Sequence, residues 1–225
     1  MIKKYLALFA SAVLLCACQF GGDRVRTGDL LFVGYRAEVQ DSTMAGAIAA
    51  ATGNSSLNYV HVAIIEVAND TTWIVDATTG RGVARYPLED FIRDFSEGAD
   101  NQPVFELARL KGESRKALRS YVQRAKSHIG LPYDYHFLPD NGQYYCSELV
   151  YDSYVRADGS HIFHSAPMNF LDKDGNLPQY WSELFEQLGE EVPQGIPGTN
   201  PQDLHAEKNL LRYQDSNLDR QNQNL

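Results

Sequence analysis

The sequence predicts an α+β fold, on three observations. A β-branched run from Asn58 to Val67 is followed by Asn69-Asp70 and a second apolar run, Thr71 to Ala77, the pattern of a hairpin. Strand candidates gather before and around the helix candidates, without the strand-helix-strand rhythm of a parallel sheet. Glu113 to Ile129 is charged on one side and carries Leu118, Val122, Ala125 and Ile129 at helical spacing, so it reads as an amphipathic helix ended by Gly130 and Pro132. The composition, 44% hydrophobic and 22% charged over 225 residues, is that of one folded domain.

In chain order, residues 1–17 read as an export signal: Lys3 and Lys4, then an apolar run from Tyr5 to Leu15 that is too short to span a bilayer. Leu15-Cys16-Ala17-Cys18 is similar to a lipobox, which implies that Cys18 is acylated and becomes the first residue after cleavage. Gln19, rather than Asp, follows it, so the expected destination is the outer membrane, facing the periplasm or the exterior. Residues 18–27 read as a tether, 28–213 as the domain and the Gln/Asn-rich residues 214–225 as a disordered tail. Cleavage removes Lys3 and Lys4, leaving 18 basic against 29 acidic side chains, so the charge moves from −9 to −11. A body this acidic is a poor partner for nucleic acid.

Within the body, Gly28 to Gly34 is a strand bounded by glycines and Met44 to Ala51 an Ala-rich helix. Asn58 to Val67 is apolar on both alternating faces, which marks a central strand covered on both sides. Gly82 to Pro87 and Pro103 to Leu110 are further strands, with a short helix at Leu88 to Phe95 between them. Tyr144 to Tyr151 opens another helix after a loop rich in Pro, Asp, Asn and Gly. Beyond Gly189 the prolines at 193, 197 and 201 suggest a segment that wraps the body.

The chemistry centres on Cys146, a lone thiol at a predicted helix start, where unpaired amides and the helix dipole favour the thiolate. A free cysteine is also often a small core residue. Among six histidines, His61 lies inside a strongly predicted strand, and a rigid element aims an imidazole better than a loop does. A two-residue turn at Asn69-Asp70 pairs Ala68 with Thr71 and Ala63 with Asp76, so Asp76 shares His61's face diagonally while Glu66 points to the other. That choice holds only in this register, since a slip of one residue reverses it.

Two motifs then add a resemblance. Ile129-Gly-Leu-Pro-Tyr-Asp134, followed by Tyr145-Cys-Ser-Glu-Leu-Val150, resembles the Gly-x-Pro-Tyr … Cys-Ser-x-Leu-Val signature of NlpC-type papain-like hydrolases. Here the histidine strand precedes the cysteine, an order similar to that of the circularly permuted branch, the YaeF/YiiX-like papain-like amidases related to the lecithin:retinol acyltransferase group. The resemblance covers roughly Arg26 to Leu211. It implies a permuted papain-like fold with a central, mostly antiparallel sheet and the cysteine at a helix N-terminus. It further implies Cys146 as nucleophile, His61 as general base, Asp76 as the residue orienting the histidine, and Tyr133 as a helper at the oxyanion beside the Cys146 amide. Many relatives carry Glu or His where Asp76 stands, and glycine is common at the position of Glu148 in the unpermuted branch.

Other chemistries lack their motifs. His161 and His164 lie three residues apart without a cysteine pair or a His-Glu-x-x-His helix, so no metal or other cofactor is expected. Gly-x-Ser-x-Gly and a phosphate-cradling glycine loop are absent. The expected function is a tethered cysteine amidase acting on peptidoglycan stem peptides. The alternatives are an esterase or acyltransferase taking a lipid-derived acyl group, and a non-catalytic surface module. The sequence specifies no oligomeric state.

Overall fold

The computed structural model describes residues 25–36, 42–52, 56–97 and 102–213. The expected signal peptide with Cys16, the acylated Cys18 and the tail at 214–225 lie outside the described residues.

Strand β1 (Leu30–Tyr35) is buried along its whole length, and β2 (Asn58–Ala68) is buried from Tyr59 to Glu66. The strands β3 (Thr71–Thr78), β4 (Gly82–Pro87), β5 (Val104–Leu110) and β8 (Leu210–Tyr213) complete a six-stranded sheet in the order β4-β3-β2-β1-β5-β8. Every neighbouring pair is antiparallel. Two short strands, β6 (Ala166–Pro167) and β7 (Pro197–Gly198), pair separately. The helices are α1 (Met44–Thr52), α2 (Leu88–Ser96), α3 (Arg115–Ser127), α4 (Cys146–Ser153), α5 (Gln179–Leu188) and α6 (Pro201–Ala206).

The alternating strand pattern feeds two apolar layers. Phe32, Val62, Ile64 and Val75 pack with Leu118 and Val122 of α3 and Leu149 of α4, whereas Leu31, Ala63, Ile65 and Ile74 pack with Phe91 of α2. Asn69 and Asp70 adopt φ of 52° and 58°, the left-handed pair of a two-residue hairpin turn, and the register is Ala68↔Thr71 through Ile64↔Val75, as expected. Helix α3 starts at Arg115, where the Ser114 hydroxyl accepts from the Ala117 amide, and ends at Ser127.

Two parts of the chain differ from expectation. The stretch expected as tether already joins the body at its end: Val25 packs under the sheet, the Thr27 hydroxyl accepts from the Val67 amide at 2.9 Å, and Gly28 donates to the Ile65 carbonyl. The segment expected only to wrap contains α6, capped by Asn200 with Pro201 at its first position, and β8, which pairs along β5. Its apolar residues are too few for either to stand out by periodicity, and both form because the sheet supplies their partners.

Candidate active site

Helix α4 begins at Cys146, with Tyr145 as its extended N-cap residue. Leu149 donates to the Tyr145 carbonyl, and the Glu148 carboxyl accepts from the Tyr145 amide at 3.4 Å. The Ser147 hydroxyl donates to the Thr199 carbonyl at 3.1 Å, tying the helix start to the segment after β7. The first amides of a helix have no intrahelical acceptor, so the buried Cys146 sits where backbone donors and the helix dipole both favour negative charge.

His61 meets this helix start from β2. Its Nε2 lies 2.9 Å from Asp76 Oδ2, and the same oxygen accepts from the Tyr86 hydroxyl at 2.9 Å. An anionic Asp76 makes Nε2 the protonated nitrogen and leaves Nδ1 for the thiol. Phe91 and Phe95 pack against the imidazole, with ring centroids 5.8 and 4.9 Å away. Burial by itself lowers the pKa of His61, but the charge of Cys146 and the hydrogen bonds to Asp76 and Cys146 outweigh it and raise the group to about 10. Near neutral pH His61 is therefore held as the imidazolium.

Tyr133 reaches the same place from the loop before α4. Gly82 opens β4 at a φ of 63°, and a side chain there would stand 2.4 Å from the Leu131 carbonyl. Only glycine lets the strand approach so closely. Val83 donates to Leu131 and Gly130 donates back to Val83, which fastens the loop to the sheet edge just ahead of Tyr133. Burial and the Cys146 charge push the Tyr133 hydroxyl well above its usual range, so it stays a donor, now directed at Met44 Sδ at 3.4 Å. Asp134 holds the rest of the loop by accepting from His136, Leu138 and Asn141.

The structure thus brings Cys146, His61 and Tyr133 to one cleft and bonds Asp76 behind the histidine. Glu66 lies on the other face, held by Arg85 at 2.5 Å and Lys126 at 2.7 Å. His161 stacks on Tyr151 while His164 pairs with Glu207, so the two go to different partners. Sequence reasoning missed Tyr86 and the Phe91-Phe95 wall. Extending the hairpin register from β3 across to β4, where Ile74 pairs with Tyr86, would have placed that hydroxyl on the face of Asp76.

Glu148 contributes structure rather than charge. Burial, reinforced by the charges of Asp134 and Asp152, pushes its carboxyl up to about 9. The folded state then holds this proton more tightly than the unfolded chain does, so stability falls as the pH rises from the ordinary carboxyl range toward 9. Glu148→Gln keeps an acceptor for the Tyr145 amide and removes the titration. The expected result in scanning fluorimetry is a midpoint raised by about 3 °C or more at pH 8, with little change at pH 4.5, since each tenfold difference in proton affinity between folded and unfolded chains is worth about 1.4 kcal/mol.

A thiol at a helix start, facing a strand imidazole that a carboxylate holds from behind, defines the papain-like class of cysteine hydrolases, here with the histidine strand ahead of the cysteine helix. The chain belongs to the family of permuted papain-like amidase enzymes described as YaeF/YiiX, C92, whose model matches residues 24–212. It is 26% identical over 179 residues to the uncharacterized protein YiiX of Escherichia coli K12, covering 79% of this chain and 80% of that one. The crystal structure of a YiiX from Escherichia coli O157:H7, described as a metalloprotein, superposes with a TM-score of 0.65 at 25% identity, covering 85% of this chain and 97% of that one.

Proposed function

We propose that this protein is a cysteine amidase working through an acyl-enzyme, with Cys146 as nucleophile. The observation that carries the reading is the His61 imidazole bonded to Asp76 and lining one cleft with Cys146. In the resting pair the thiol proton resides on His61. The Cys146 thiolate adds to the amide carbonyl, and the Cys146 amide and the Tyr133 hydroxyl donate to the oxyanion. As the C–N bond breaks, His61 gives its proton to the leaving amine. Neutral His61 then takes a proton from water, whose hydroxide adds to the thioester carbon; collapse expels the thiolate and releases the acid. Asp76 keeps Nε2 protonated throughout and stabilises the imidazolium, while the Tyr86 hydroxyl holds Asp76.

A resident metal does not fit these residues. Among the described residues no three His, Cys, Asp or Glu side chains stand together as a metal site, and no step above uses one. Export and acylation at Cys18 would hold the enzyme beside the cell wall, where peptide stems offer amide bonds. The second reading, hydrolysis or transfer of a lipid-derived acyl group, draws on the apolar walls around Cys146.

Iodoacetamide at pH 6, followed by peptide mapping, tests the pair. Cys146 is expected to label at least about tenfold faster in the native protein than in His61→Ala, because an ordinary thiol near pKa 8.5 is scarcely ionised at that pH. Equal rates would remove the ion pair and the mechanism with it. Mass spectrometry of products from stem peptides and from phospholipids separates the two substrate readings.

A further inference from the structure

Two spaces meet at Cys146. One is the cleft lined by His61, Phe95, Tyr35 and Val60. The other is walled by Phe137, Met168, Phe170 and Trp181, has Thr52, Asn169, Thr199 and Asn200 as uncharged polar lining, and does not include His61. Ile48, Tyr133 and Cys146 line both and so form the partition between them.

The proton carried by His61 must reach the leaving nitrogen, so the leaving group lies on the His61 side of the scissile carbonyl. With the Cys146 sulfur and Tyr133 at the partition, the substituent on the other side of that carbonyl faces the aromatic space. Phe137, Phe170 and Trp181 pack edge to face, with centroids 5.2 to 5.7 Å apart and interplanar angles from 72° to 87°, which makes a rigid wall rather than an adaptable one. Among the described residues lining this space there is no Asp, Glu, Lys or Arg. A carboxylate entering it would lose its water and find no cation in exchange.

We propose that the aromatic pocket is the acyl-group subsite and that it selects an uncharged, apolar acyl group, with the amine leaving through the His61 cleft. The assignment rests on Cys146 being the nucleophile, and it narrows the substrate on that side. Hydrocarbon acyl chains and apolar aminoacyl groups fit, whereas acyl groups bearing their own carboxylate, as γ-linked glutamyl groups do, are rejected.

The chain has two tryptophans, Trp73 and Trp181, so in Trp73→Phe/Cys146→Ala the remaining indole reports from the pocket wall without turnover. Octanamide, N-acetylphenylalaninamide and glutaramate are titrated against it. At least one uncharged probe is expected to shift Trp181 emission and to bind at least tenfold more tightly than glutaramate. The tighter of the first two tells a hydrocarbon source from an aminoacyl one. Glutaramate binding as tightly, or no probe moving the emission, overturns the assignment. The corresponding p-nitroanilides are then offered to the native protein. Probe binding without any hydrolysis refutes the amidase reading and leaves the subsite standing, whereas preferred hydrolysis of the glutaryl anilide refutes the subsite.

Discussion

Cys146→Ala is expected to lower amide turnover by at least about 1,000-fold, because removing a nucleophile leaves only binding and oxyanion donors. The fold should survive. Cys146 is small and buried at a helix start, and alanine keeps that helix and its contacts with Tyr145 and Thr199, which run through the backbone, Glu148 and Ser147. A thermal midpoint within about 3 °C of the native one would confirm this. The same variant carries a second signature. Since the charge of Cys146 is a leading cause of the raised His61 pKa, the imidazole titration followed by NMR should move down from about 10 in its absence. Full activity in Cys146→Ala ends the thiol mechanism; an unmoved His61 ends the ion pair even if activity is lost.

Asp76→Asn should cost about 100- to 10,000-fold in turnover, the range expected when a histidine loses the carboxylate that fixes its tautomer. An amide at that position can present its NH₂ to Nε2, which would place the imidazole proton on Nδ1, toward the sulfur. The pH profile gives the sign. His61 is protonated below its raised pKa, and the thiolate–imidazolium pair is lost as the pH climbs through about 10. Asp76 is one of the groups holding that value up, so in Asp76→Asn the alkaline limb of Cys146 alkylation must move to lower pH. A merely structural Asp76 would lower stability without moving the limb.

The parts of this site legible in the sequence were those fixed by local rules. Asn69-Asp70 dictates a two-residue turn, the turn dictates the register, and the register puts Asp76 diagonal to His61. Cys146 stood out because a helix start follows a Pro-Asp-Asn-Gly loop. What stayed hidden depends on contacts between distant segments. Phe91 and Phe95 look like the apolar stripe of a short helix, and only the packing of α2 under the sheet turns them into the wall behind His61. Phe137, Phe170 and Trp181 come from a loop, a second loop and α5, and no periodicity links them. Glu148 reads as an ordinary helix carboxylate until burial beside Asp134 raises its pKa.

The hairpin that joins His61 to Asp76 also sets an order of events. Base and carboxylate are 15 positions apart on neighbouring strands, a contact of low sequence separation, while the nucleophile arrives from a helix far along the chain. Contacts between near neighbours form quickly, and those that close long loops form late. During folding, the His61–Asp76 pair can assemble before helix α4 brings Cys146 to it. On the proposed mechanism, the sulfur meets its base only when helix α4 packs against β2.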